Sequence, residues 1–189
     1  MKVKVTKSSH ITFTLPKGQC PPVCINPTVI PHVETVKYLG LHFDRRLTWK
    51  ERIVMKRKQL EHKPREIKWL IGKNSPLSLE NKMLMYKTIL RPVWTYGIEL
   101  WGGTNKSNIA TMQRCQSKLL RTITNAPWYV SNHTLHTDLH IPYVRTVIHD
   151  RTNKHRTTLA SHPNPLVEPL LQPAHNRRLK RRWTFDRTD

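Results

Sequence analysis

From Thr48 onward the apolar residues recur at a helical period, whereas before it they alternate with polar ones or fall between prolines. Ile53, Leu60 and Ile67 follow one another at sevens. Trp49 stands four residues ahead of the first and Ile71 four beyond the last, which predicts one face of a helix. Thr48-Trp49-Lys50-Glu51 has the form of a capping box, so the helix is expected to start there and to end at Gly72. Pro64 interrupts the pattern, removing a backbone donor and crowding the preceding turn, and this predicts a kink. After a turn at Asn74-Ser75-Pro76, Ser78 is placed to cap a helix with Leu79, Met83, Tyr86 and Leu90 on one face and Pro92 as its stop. Trp94, Tyr96, Leu100 and Trp101, broken by Gly97, read as a packed aromatic core or, more sharply, as base-stacking residues. Asn105 or Ser107 opens a further helix. Its apolar face is Ile109, Met112, Leu119, Leu120 and Ile123, its polar side carries Arg114, Lys118 and Arg121, and Pro127 ends it. A short helix over 131–140 turns Leu135 and Leu139 inward, and one more runs from Pro142 to about Leu159 with Val144, Val147 and Ile148 inward. Four or five such helices with short links make a bundle.

The first part of the chain has period two. Lys2-Val3-Lys4-Val5 alternates, as does the stretch 10–15 with Ile11, Phe13 and Leu15 on one face. Pro16, Pro21, Pro22, Pro27 and Pro31 allow only short strands in this region, expected near 23–25 and 28–30. In Val36-Lys37-Tyr38-Leu39-Gly40-Leu41-His42-Phe43-Asp44 the alternation is loose, and Gly40 inside it marks a bulge or a close approach of other backbone. The fold class is therefore α+β: short antiparallel strands over 1–46, a helical bundle over 47–160, and a proline-rich basic tail over 161–189.

Charge changes the picture most. The 189 residues carry 33 Lys and Arg against 12 Asp and Glu, a net charge of +21. Such an excess repels itself unless a polyanion neutralises it, which makes nucleic acid the favoured partner. An anionic membrane would need a helix with a concentrated basic face, which the pattern does not offer, and no apolar run is long enough to span a bilayer. The three cysteines, Cys20, Cys24 and Cys115, point to a reducing compartment. Cys20 and Cys24 lack a second metal-binding pair at finger spacing, so no metal site is assigned to them. His133, His136 and His140 have spacings that suit a metal in principle and surface histidine more simply. The five aspartates, Asp44, Asp138, Asp150, Asp186 and Asp189, include no adjacent pair, so the paired carboxylates of two-metal phosphoryl transfer are missing, as is the carboxylate cluster of a ribonuclease H site.

Several runs together carry a resemblance. They are Tyr38-Leu39-Gly40 leading into Leu47-Thr48-Trp49, Trp69-Leu70-Ile71-Gly72, Leu77-Ser78-Leu79-Glu80-Asn81-Lys82 and Tyr86-Lys87-Thr88-Ile89-Leu90-Arg91-Pro92. With them go Trp94-Thr95-Tyr96-Gly97-Ile98-Glu99-Leu100-Trp101-Gly102, Gln116-Ser117-Lys118-Leu119-Leu120-Arg121 and Asn125-Ala126-Pro127-Trp128-Tyr129-Val130. The chain resembles the C-terminal part of a jockey-like non-LTR retrotransposon reverse transcriptase. The resemblance implies distal palm strands and a primer-grip hairpin at 1–46 and a helical thumb at 47–160. It implies that the catalytic aspartates lie upstream, so that this chain alone is inactive, while Mg2+ serves the intact enzyme and no cofactor belongs to this chain.

The implied partners are an RNA–DNA hybrid or other nucleic acid and the palm and fingers of the same polymerase. The implied location is the nucleus, with a cytoplasmic ribonucleoprotein stage. Lys7 falls on the lysine that follows the catalytic aspartates in the family, although the residues before it depart from the family pattern. The resulting candidate contacts are Lys7, Tyr38, Leu39, Gly40, Lys50, Lys56, Arg57, Lys63, Arg114, Lys118, Arg121, Arg177, Arg178, Lys180, Arg181 and Arg182. The last five form a basic run that can also serve as a nuclear localisation signal or be a solvated end. Alternative readings are a general basic nucleic-acid-binding module, a part of an active nucleotidyltransferase, and a translated relic of a mobile element.

Overall fold

A computed structural model describes residue 4 and residues 7–14, 21–25 and 27–167. Two small hairpins come first. Strand β1 (Val23–Ile25) pairs antiparallel with β2 (Thr28–Ile30), and β3 (Thr35–Tyr38) pairs antiparallel with β4 (Leu41–Asp44). Gly40 makes no bulge. Tyr38 pairs with Leu41, and Leu39 and Gly40 form a two-residue turn with φ of 47° and 73°. Left-handed backbone at both turn positions matches the twist of the flanking strands, and glycine takes one of them without steric cost. The strand expected over 10–15 reduces to a single parallel bridge between His10 and His32 and one bond from Thr14 N–H to the Arg45 carbonyl, and Leu15 lies outside the described residues. Phe13 is exposed on its face rather than buried, although its edge meets Phe43.

The helices come next. They are α1 (Lys50–Glu66), α2 (Lys68–Ile71), α3 (Leu79–Met85), a π turn at Tyr86–Leu90, α4 (Arg91–Thr95), α5 (Ile98–Trp101), α6 (Lys106–Thr124), α7 (Asn132–Asp138) and α8 (Val144–Ala160). The capping box at Thr48 does not form. Asp44 folds the entry turn instead, its carboxylate accepting from the Thr48 and Trp49 N–H groups at 2.8 Å each, and Trp49 takes the cap position with φ of 61°. Pro64 is accommodated inside α1, and the break comes three residues later at Ile67, so Gly72 ends α2 rather than one long helix. Pro92 does not stop its helix either. The π turn widens the backbone just ahead of it, where a proline has no N–H to offer, and the helix runs on to Thr95. Ser78 and Asn105 cap α3 and α6 through their side chains as expected, and Ser131 caps α7 in the same way.

The core lies among α1, α3 to α6 and α8. Its largest fully buried side chains include Trp94, Trp101, Tyr86, Ile71, Leu90, Ile98, Met112, Leu120 and Val144. Trp49, Ile53, Leu60 and Ile71 all enter it, which accounts for the heptad spacing. Leu79 is an exception to its predicted face and is exposed at the first position of α3. The aromatic stretch divides. Trp94 and Trp101 are core, while Tyr96 is half exposed beside the hairpin.

Candidate nucleic-acid interface

The hairpin tip is fixed to the helices by groups far away in sequence. Arg52 projects from α1 into the interior and is fully buried. Its guanidinium donates to the Gly40 carbonyl at 3.4 Å and to the Tyr96 carbonyl, and it lies 5.8 Å from the centre of the Tyr96 ring. Burial lowers its pKa to about 10, so it stays charged at neutral pH. The Tyr96 hydroxyl donates to the Leu39 carbonyl at 2.7 Å, and Trp101 Nε1 donates to the Tyr96 carbonyl at 3.3 Å. Gly97, with φ of 61°, lets Leu41 pack where a side chain would stand. Held this way, the tip presents Tyr38 and Leu39 to solvent, 64% and 70% exposed.

Beside the tip, cations converge. Lys37 pairs with His42 across the hairpin, and both face α1. His42 is held below the usual histidine range by burial and then by the charges of Lys37, Arg52 and Lys56. Lys56 is lowered by burial and then by Arg52, Lys37 and Lys63. Seven residues is nearly two helical turns, so Lys56 and Lys63 stand on one side of the core stripe of α1 and Lys50 and Arg57 on the other. Among the described residues no acid balances the first set closely enough to reverse these shifts; Glu51 is the weakest influence on His42.

A second basic surface lies between α1 and α6, in an open groove of about 590 Å3. Arg57, Arg65, Lys68, Arg114 and Lys118 line it, with Glu61 as its carboxylate and Leu60, Pro64 and Leu119 below. Glu61 bonds Arg57 at 2.9 Å, and this bond holds its carboxyl below the usual range, helped by Lys118 and Arg65. Cys115 forms part of the floor, and burial pushes its thiol up, away from reactivity.

The candidate residues therefore fall into distinct groups. Tyr38, Leu39, Gly40 and Lys56 gather at the hairpin face, Lys63 lies nearly two turns further along the same side of α1, and Arg57, Arg114 and Lys118 are at the groove. Lys50 is exposed at the start of α1, in a shallow depression with Glu34, Asp44 and Glu51. Lys7 is exposed in a turn, its N–H bonded to the Lys4 carbonyl, and joins neither surface. Arg121 is occupied: it donates to the Pro127 carbonyl at 2.5 Å, the Val130 carbonyl at 2.7 Å and Asn132 Oδ1 at 3.1 Å, so its guanidinium holds a loop. Arg177, Arg178, Lys180, Arg181 and Arg182 lie outside the described residues.

The histidine spacing has another explanation. His136 is buried, its Nδ1–H donates to the Ile141 carbonyl at 2.7 Å, and its Nε2 accepts from Gln113 at 2.9 Å. It stacks on Tyr143 at 4.1 Å, so both ring nitrogens are used in packing α7 against α6 and α8. Among the described residues no group of three His, Cys, Asp or Glu side chains could hold a metal ion.

The chain is 38% identical over 184 residues to the probable RNA-directed DNA polymerase from transposon X-element of Drosophila melanogaster, covering 97% of this chain and 20% of that protein. It is 31% identical over 198 residues to the RNA-directed DNA polymerase from mobile element jockey of Drosophila funebris, covering 100% of this chain and 22% of that protein. The jockey polymerase of Drosophila melanogaster is 33% identical over 170 residues, 90% of this chain and 19% of its own length. Over nearly its whole length the chain matches a segment of the RNA-directed DNA polymerases of jockey-like non-LTR elements. It spans about a fifth of the length of the curated relatives it matches. No protein-family model matches it, and no solved structure does.

In this jockey-like chain, sequence reasoning missed the roles of Lys37, His42, Arg52, Tyr96 and Gly97. The signal for Lys37 and His42 was the turn itself, because pairing Tyr38 with Leu41 puts them opposite each other. Arg52 stands next to Ile53 and three residues from Trp49, at the border of the core stripe, where an arginine is as readily buried as exposed.

Proposed function

We propose that this chain is the primer-grip hairpin and helical thumb of a jockey-like reverse transcriptase, and that it grips an RNA–DNA primer duplex. The observation that carries the reading is the exposed tip of Tyr38 and Leu39, clamped by Arg52 and Tyr96 beside Lys37 and Lys56, with Lys63 further along the same side of α1. Lysines kept together against their own repulsion favour an anionic partner, and phosphate contacts position a duplex without reading its sequence. The tip then meets the primer end while the lysines follow its backbone. The palm and fingers of the same polymerase supply the catalytic aspartates and the Mg2+ they hold, and the chain acts in the nucleus after a cytoplasmic ribonucleoprotein stage. No metal-dependent step is assigned to this chain's own residues.

The spread of the +21 charge along the sequence favours a second reading, a basic module without preference among nucleic acids. Binding of the purified chain to a labelled RNA–DNA primer duplex, single-stranded RNA and duplex DNA across a salt series separates the two. The grip predicts a steep salt dependence with preference for the hybrid. Equal affinities leave the basic module, and no binding at low salt refutes both. With Mg2+ and nucleotides the chain alone is expected not to extend the primer.

A further inference from the structure

The loop after α6 holds the most exposed aromatic group of the described residues. Trp128 is 90% exposed and Tyr129 71% exposed, and the two rings meet edge to face with centroids 6.0 Å apart. Burial of such rings is a main source of core and interface stability, and here neither contributes to the core. The loop beneath them is nonetheless built. Asn125 ends α6 in a left-handed conformation, and Arg121 ties the carbonyls on both sides of the pair, at Pro127 and Val130. One guanidinium is thus committed to a loop that holds two aromatic rings out in water.

The neighbours of the pair indicate what it meets. Arg114, Lys118 and Arg121 occupy positions i, i+4 and i+7 of α6 and so form one stripe along the helix. The first two line the groove against α1, and the third holds the aromatic loop. The cationic stripe of α6 therefore runs from the groove to the residue that holds the aromatic loop. Bases stacked on aromatic rings, with phosphates following a basic groove, are the usual means of holding a single strand. In a duplex the base faces are already stacked on one another, and a platform of this kind has nothing to take.

We propose that Trp128 and Tyr129 are a stacking site for an unpaired nucleic-acid strand whose phosphates lie along the groove between α1 and α6. The site is separate from the hairpin face and does not depend on the duplex reading. Its occupant is a single strand of RNA or DNA, taken by base face and backbone charge without regard to sequence.

The test compares the full chain with Trp128→Ala, Trp128→Phe and Lys118→Ala, using a fluorescein-labelled uridine oligomer and the labelled hybrid duplex. Trp128→Ala is expected to weaken the single strand between about fivefold and about a hundredfold, the range of one lost base stack, and to leave the hybrid unchanged. Trp128→Phe retains most of the single-strand affinity but loses the part of the tryptophan quenching that an unlabelled oligomer produces at this ring. Lys118→Ala lowers the single-strand salt slope by about one contact, roughly 0.7 in the logarithmic slope. Unchanged single-strand binding in Trp128→Ala overturns the proposal and leaves the pair as a docking point for another protein surface. An equal loss for single strand and hybrid also overturns it. Loss of hybrid binding in the parent chain would instead count against the hairpin reading, and the two failures are distinguishable.

Discussion

Replacing Gly97 by alanine is the sharpest probe of how the hairpin is joined to the helices. Two costs are set by the structure. Gly97 has φ of 61°, a conformation that costs an L-residue roughly 1–2 kcal/mol. A Cβ built there would lie 2.8 Å from Leu41 Cδ2 and 3.4 Å from Cδ1, and Leu41 is 6% exposed, so the methyls have little room to withdraw. Overpacking of this kind costs about 1–3 kcal/mol. The two together give about 2–5 kcal/mol, a large share of the roughly 5–15 kcal/mol that holds a typical domain. Urea unfolding followed by far-ultraviolet circular dichroism measures it, and in a chain of this size the midpoint temperature falls by roughly 2–4 °C per kcal/mol. The decisive comparison is the double variant with Leu41→Ala. Removing both Leu41 methyls removes the overlap but not the backbone term, so Gly97→Ala in that background should cost only about 1–2 kcal/mol. An equal cost in both backgrounds would refute the packing argument, and a cost near zero in the parent chain would refute both parts.

Four other outcomes are expected from the same geometry. Arg52→Met leaves the Gly40 and Tyr96 carbonyls without their guanidinium donor and should cost about 1–3 kcal/mol, and Arg52→Lys should not restore it, since an ammonium cannot reproduce the planar fork; urea unfolding reads both. Asp44→Ala removes the acceptor for two N–H groups at the entry to α1 and should lower stability by about 1–2 kcal/mol in the same assay. Lys56→Ala and Lys63→Ala should each reduce the logarithmic salt slope of hybrid binding by about one and weaken all hybrid sequences alike, measured by fluorescence anisotropy. His42 is depressed in the folded chain, so the folded state binds its proton less readily than the unfolded one; stability is full above the unfolded value near 6.5 and falls as pH drops through the lower folded value. His42→Gln should remove that part of the acid loss, seen as a smaller difference in urea midpoint between neutral and mildly acidic pH.

The features readable in advance were those whose causes are local. The positions of β1 and β2 came from prolines on either side, and the caps at Ser78 and Asn105 from a side chain and an N–H three residues apart. The stripe of Trp49, Ile53, Leu60 and Ile71 came from helical periodicity. The expectations that failed did so where a neighbour from elsewhere in the chain, or a change in backbone geometry, overruled the local signal. Asp44 displaced Thr48 as the cap because it reaches two N–H groups across the turn. Pro92 was absorbed because a π turn precedes it.

By itself the sequence determined the order of elements, which faces of the helices are apolar, and the excess of positive charge, because periodicity, capping and composition act over a few residues. Only the tertiary structure decided which of the many cations are free to meet a ligand. Arg52 and Arg121 look like their neighbours on a helical wheel, yet one is bonded to carbonyls at Gly40 and Tyr96 and the other to carbonyls at Pro127 and Val130. Lys56 and Lys63 were separated from Arg57 because the hairpin packs on one side of α1 and α6 on the other. A charge's partner is set by distance in space, and the chain brings those distances into being only when it folds.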